Sequence, residues 1–309
     1  MQVRQVEGYP GGKGANTAVA AARLLGSGLV AFIGAVGDDE LGASLQESLR
    51  SEGVLLDGLV TSRGARSGRA FVVVNGSGGK QIHTLFGAND SLGPRHLGSP
   101  FARRALSACA ATVMMDVPLL TALGAAKASK GAGASLFYSP GVRIGDGRSS
   151  LLHQVIELAD HLVLDSSELS RLASENEPTR ALLKLRRLHP RLVMVATLGQ
   201  SGCLVASGHG VLQVPPFELE ALGLQAVNST GSGDAFLAAY VSYSLSGASP
   251  ERAARWGNLA GALKAASSAT RGSPTREELE SAMRRFGGVK ERPLGSPSKR
   301  ASSRSRPRS

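Results

Sequence analysis

Short apolar runs of strand character alternate along this chain with stretches of helical period, and that alternation narrows the available architectures more than any other feature. Leu29–Val36 is strand-like, and Asp39–Glu52 follows as a helix with Leu41, Leu45 and Leu49 spaced four apart on one face. Ala70–Val74 and Gln81–Phe86 are rich in β-formers, and the turn Asn75-Gly76-Ser77-Gly78-Gly79 between them predicts a hairpin. Ala111–Met115 and Ser135–Tyr138 read as strands around the helix Leu119–Ser129. His161–Leu164 and Leu192–Ala196 are two more strands, with the helix Thr179–Leu188 before the second. Ala235–Leu245 and Pro250–Ala269 are the last long helices. Repeated strand–helix alternation predicts an α/β fold, a largely parallel sheet covered by helices on both faces.

The chain of 309 residues is long enough to bury a substantial core, and a hydrophobic content of 42% predicts that most of it is globular. No apolar run reaches the roughly 20 residues that cross a bilayer, and Met1–Pro10 lacks the pattern of a secretory leader. The two cysteines, Cys109 and Cys203, stand alone, so neither a disulfide framework nor a zinc site is indicated, and a reducing, cytoplasmic setting is expected. The net charge of +11 invites a nucleic-acid reading. Yet Lys290–Ser309 alone carries seven lysines and arginines against one glutamate, over half of that excess. Beyond about Gly287 the chain is a Ser/Arg/Pro-rich segment, and residues 288–309 are expected to be a disordered, solvated tail. Any contact with nucleic acid would run through that tail.

The strongest local signal is Asn228-Ser229-Thr230-Gly231-Ser232-Gly233-Asp234, followed at once by the apolar helix from Ala235. Two glycines let the backbone turn tightly against a ligand, and the helix start aims free N–H groups and the positive dipole end at it. That is an anion site suited to phosphate. Asp234 beside it is a carboxylate placed to take a proton from an incoming hydroxyl. An ordinary Asp cap after a flexible loop accounts for the same residues. Gly11-Gly12-Lys13-Gly14-Ala15-Asn16 again sets a glycine-rich turn before a helix, Thr17–Leu25. Its Lys precedes Gly where a P-loop needs Ser or Thr, and Thr17 stands where a dinucleotide fingerprint needs Gly or Ala.

Together these segments resemble the ribokinase (PfkB-type) carbohydrate kinase family: Gly11–Leu25 is similar to its first signature and Ser229–Tyr240 to its second. Gly34–Asp39, Gly87-Ala88-Asn89 and Thr197–Gly202 follow the same order, so the resemblance covers about Val6 to Gly287. It implies a three-layer α/β/α ribokinase-like fold over residues 1–287, with a small β lid at about 68–87. It implies an ATP-dependent kinase that phosphorylates a hydroxyl of a sugar-like molecule, ribose-like first and a nucleoside second. Asp234 would be the base, and the amides of Gly231, Ser232, Gly233 and Asp234 the anion hole. Gly12, Lys13, Asn16 and Asp116 would contact the acceptor. Thr197, Gly199 and Gly202 would line ribose and phosphates, and Asn258 the adenine pocket. Asp165-Ser166-Ser167-Glu168 resembles the family's Asn-x-x-Glu motif, with Asp165 near the nucleotide and Glu168 organising Mg²⁺ through water. A helix-capping Asp with a first-turn Glu explains that pair equally well. Relatives often pair through their lids, so a homodimer is expected there.

The sequence departs from the family pattern at two places. Asn228 replaces an Asp that helps bind a monovalent cation, so K⁺ activation is in question. Only Met1–Pro10 precedes the first glycine turn, with Val3, Val6 and Tyr9 suggesting at most one lid strand. A strand normally central in the family's sheet is therefore expected to be absent, either because the chain is truncated or misstarted or because the protein compensates for the loss. These departures leave open a weakly catalytic sensor of nucleotide or sugar.

Overall fold

The computed structural model describes residues 8–74, 80–145, 147, 149–208 and 210–286. The hairpin turn 75–79, Val3 and Val6, and the basic tail at 288–309 lie outside the described residues. In chain order the elements are α1 (Lys13–Leu25), β1 (Ala31–Gly37), α2 (Glu40–Arg50), β2 (Leu55–Ser62), β3 (Arg69–Val74), β4 (Lys80–Leu85), α3 (Pro100–Ala108), β5 (Ala111–Met115), α4 (Leu119–Gly131) and β6 (Ser135–Ser139). They continue as α5 (Ser150–Leu158), β7 (His161–Asp165), α6 (Ser166–Ala173), α7 (Pro178–Leu188), β8 (Val193–Thr197), β9 (Cys203–Ser207), β10 (Gly210–Val214), α8 (Ser232–Leu245), α9 (Pro250–Ala265) and α10 (Arg276–Arg285).

Strands β5 to β8 pair in parallel in sequence order, and β9 and β10 extend that sheet antiparallel. Alternating side chains sort to its two faces, as the period of two requires. Phe137, Val163 and Val195 pack with α1, α8, α9 and α10, while Leu136, Tyr138, Leu162, Leu164 and Met194 pack with α4 to α7. Each fully buried Leu or Phe removes apolar area from water worth about 1.5–3 kcal/mol. Helix α8 is apolar on all sides, with ten of its fourteen residues buried, so its N-terminus is held rigidly at the edge of the core. The parallel strands do not form one continuous sheet. β1 and β2 pair as a separate two-stranded sheet, and β5 is the edge of the larger one. Helix α1 bears on both pieces, and Ala35 of β1 shares an apolar cluster with Val117 just past β5.

The antiparallel pair β3–β4 stands apart as a two-stranded sheet, with Phe71, Ile82 and Leu85 exposed. Helix α9 ends at Ala265, not at Ala269 as its composition suggested. Beyond it the chain turns, and the Ala265 carbonyl instead accepts from the amides of Val227 and Asn228 at 2.7 and 2.9 Å.

Candidate active site

Asp116 follows β5, Asp165 ends β7 and Thr197 ends β8, so these residues share the carboxyl edge of the parallel sheet, where open α/β folds place ligands. The register pairs Asp165 directly with Thr197. Two helix N-termini, those of α1 and α8, meet at the same place. The Asn16 amide nitrogen donates to Asp234 Oδ2 at 2.8 Å, and the Thr17 hydroxyl reaches the Asp234 carbonyl at 3.4 Å. The glycine turns, far apart in sequence, thus open onto one locus.

Gly231 adopts φ +88°, and a Cβ there would come within 2.7 Å of the Thr270 carbonyl oxygen, so both the turn and the close approach require glycine. No side chain caps α8. The Ser232 amide donates to the Ser229 carbonyl at 3.1 Å, and the Ala235 amide to the Gly231 carbonyl at 3.0 Å. The amides of Gly233 and Asp234 between them are first-turn donors that the helix itself leaves unsatisfied. Of the four amides expected in an anion hole, Ser232's therefore already has a partner within the loop.

Asp234 is buried, and burial pushes its carboxyl up to about 6; the bond from Asn16 and the charges of Lys13 and Lys264 pull the other way, while Asp116 adds to the rise. Lys13 lies between two carboxylates, 3.3 Å from Glu168 Oε1 and 3.8 Å from Asp116 Oδ2. Burial opposes its charge, but Asp116, Glu168 and Asp234 together outweigh it and raise its pKa. At Glu168, whose side chain is 4% exposed against 41% for Lys13, burial wins and the carboxyl is raised despite the pair. Asp116 takes φ +48°, in the left-handed region, and accepts from the Val142 amide at 2.8 Å.

Asp165 and Glu168 form a reciprocal capping box on α6: Asp165 Oδ1 accepts from the Glu168 amide at 2.7 Å, and Glu168 Oε2 from the Asp165 amide at 3.0 Å. The other Glu168 oxygen faces Lys13. Thr197 donates to the Leu164 carbonyl at 3.4 Å, which holds its hydroxyl at the β7–β8 edge. Gly199 and Gly202 bracket a tight turn, and a Cβ on Gly202 would lie 2.3 Å from the Val214 carbonyl oxygen. Asn258 donates to the carbonyls of Val214 and Pro215 at 3.1 and 2.9 Å, fixing the loop that lines a hollow of about 270 Å³ with Pro216, Phe217 and Arg255. Gly12, at φ +95°, is the N-cap of α1.

Sequence reasoning missed two cations. Arg271 donates to Asn16 Oδ1 at 3.2 Å, to Ser48 at 2.7 Å and to the Gly11 carbonyl at 3.2 Å. Lys264 is fully buried, with its ammonium 2.9 Å from the Asn228 carbonyl. A lone lysine within the apolar run Leu259–Ala266 was the one available signal for the second; nothing local marks the first. Among the described residues no group of three or more His, Cys, Asp or Glu side chains is arranged to hold a metal, and no helix is long and apolar enough to cross a membrane.

Residues 1–276 match the sequence profile of the pfkB family carbohydrate kinases. Ribokinase of Bacillus subtilis is 31% identical over 276 residues, 88% of this chain and 86% of that protein. Fructokinase-1 of Zea mays is 34% identical over 244 residues, 74% of this chain and 72% of that protein. In fold, the chain is similar to the structure of Arabidopsis thaliana ribokinase complexed with ribose and ATP, at a TM-score of 0.76 and 24% identity, covering 88% of this chain and 86% of that one.

Proposed function

The chain belongs to the pfkB family of carbohydrate kinases and is a sugar kinase, and from that premise we propose that it transfers the γ-phosphoryl group of ATP to a hydroxyl of a ribose-like sugar. The observation that carries the reading is the 2.8 Å bond joining Asn16 to Asp234 at an uncapped helix tip. In the proposed step Asp234 accepts the proton of the acceptor hydroxyl. The hydroxyl oxygen bonds to the γ-phosphorus, and the bond to the β–γ bridging oxygen breaks to release ADP. The Gly233 and Asp234 amides, with that of Gly231, stabilise charge on the phosphoryl group in transit. Lys13 and Asp116, already paired, orient the acceptor with Gly12. Asn16, expected to touch the acceptor, also binds the base through its amide nitrogen, so we assign it to positioning Asp234 as well.

Thr197, Gly199 and Gly202 line the nucleotide's phosphates, with Asp165 on the neighbouring strand end and Asn258 behind the adenine-side loop. The family resemblance implies Mg²⁺, which keeps several waters and is held largely by the triphosphate. Glu168, a buried carboxylate with one oxygen turned to the cluster, would hold the ion through water. Bound Mg²⁺ would neutralise charge on the β- and γ-phosphates. The exposed Phe71, Ile82 and Leu85 of the lid pair fit a second copy of the chain. The test is ADP release from ATP with ribose, fructose and nucleosides as acceptors. Ribose-dependent release is the expected result, and release with none of them would leave a sensor in its place.

A further inference from the structure

We infer that Lys264 is a tethered cation beneath the anion-binding helix tip, holding the Asn228–Gly231 loop in shape without an added monovalent ion. The inference rests on the kinase reading above. Lys264 sits in the last turn of α9 at 0% exposure and donates to the Asn228 carbonyl at 2.9 Å. A buried ammonium costs several kcal/mol unless its surroundings compensate it, so the loop is built around this charge. A Cβ on Gly231 would lie 3.4 Å from Lys264 Cε, so the lysine stem runs directly under the turn that opens α8.

Asn228 completes the arrangement. Its oxygen accepts from the Thr230 amide at 3.0 Å, and its nitrogen donates to the Ser268 carbonyl at 3.0 Å. Both polar ends of the side chain are thus engaged within the loop. A monovalent ion at such a loop would gather carbonyl oxygens and add positive charge near the phosphoryl site. Lys264 does both from within the chain: its ammonium binds a loop carbonyl, and its charge favours the ionised form of Asp234. A carboxylate at residue 228 would attract a second cation. The neutral Asn228 does not, and the ammonium repels one. Lys264 acts through the loop and Asp234, so it is a positioning residue.

The test compares the wild-type enzyme in tetramethylammonium, Na⁺ and K⁺ buffers, reading sugar-dependent turnover and, by calorimetry, the affinity for a non-hydrolysable ATP analogue. Both should be indifferent to the ion. Lys264→Met should lower kcat by on the order of tenfold with the sugar KM little changed, and Lys264→Ala should regain turnover when K⁺ or NH₄⁺ is added. Turnover or analogue binding by the wild type that depends strongly on K⁺ overturns the inference, and needs no variant to fold. So does a folded Lys264→Met enzyme with wild-type kcat. Intact analogue binding with no sugar-dependent turnover counts instead against the kinase reading.

Discussion

Asn16 and Asp234, 218 positions apart in sequence, are joined by a buried hydrogen bond of 2.8 Å from the Asn16 amide to the Asp234 carboxylate. The bond closes the tip of α1 onto the tip of α8. It also sets the charge of the proposed base, because a donor to a carboxylate favours its ionised form.

The pH profile of turnover reads that charge. Burial raises the Asp234 carboxyl to about 6, and a base works only when ionised, so kcat should fall as pH drops through about 6. Removing the donor in Asn16→Ala raises this pKa further and should move the acid limb to higher pH. A limb that stays in place in this variant would show that the bond does not tune the base.

Arg271 should prove a positioning residue for the same carboxylate. It holds Asn16 by the amide oxygen, which turns the amide nitrogen toward Asp234, and it ties the Gly11 carbonyl to the same point. Arg271→Met is expected to lower kcat by on the order of tenfold and shift the acid limb upward as Asn16→Ala does, without an additive effect in the double variant. Fully additive losses would place Arg271 outside this chain of contacts.

Residues 165 and 168 separate capping from catalysis. Glutamine at 168 keeps an acceptor for the Asp165 amide, so Glu168→Gln should melt near the wild type yet need more Mg²⁺ for half-maximal turnover. Asp165→Ala loses the N-cap and should cost about 1 kcal/mol of stability in denaturant titration. An unchanged Mg²⁺ titration in Glu168→Gln would leave Glu168 as a cap alone.

The legible parts of this protein are those encoded over a few adjacent residues. The glycine turns at Gly11–Gly14 and Gly231–Gly233, the helices they open and the carboxylate at Asp234 follow from spacing, as do the buried strands β5 to β8. Strands β9 and β10 went unread although Cys203–Ser207 is wholly buried, because an antiparallel extension carries no helix between its strands. Helix α10 was hidden by its polarity, with only Leu279, Ala282 and Met283 buried. The break between β1–β2 and the larger sheet is set by pairing across the whole chain. Arg271 and Lys264 act through tertiary neighbours 255 and 36 positions away, so no local pattern announces them.

The central claim is that Asp234 accepts the proton of a sugar hydroxyl as phosphate moves to it. The most direct measurement is sugar-dependent ADP formation by the wild type and by Asp234→Asn, a near-isosteric change, with ATP affinity measured by calorimetry on both. The account predicts a fall in kcat of about 10²–10⁴-fold with nucleotide affinity held within several-fold. An Asp234→Asn enzyme that phosphorylates its sugar at the wild-type rate would contradict it.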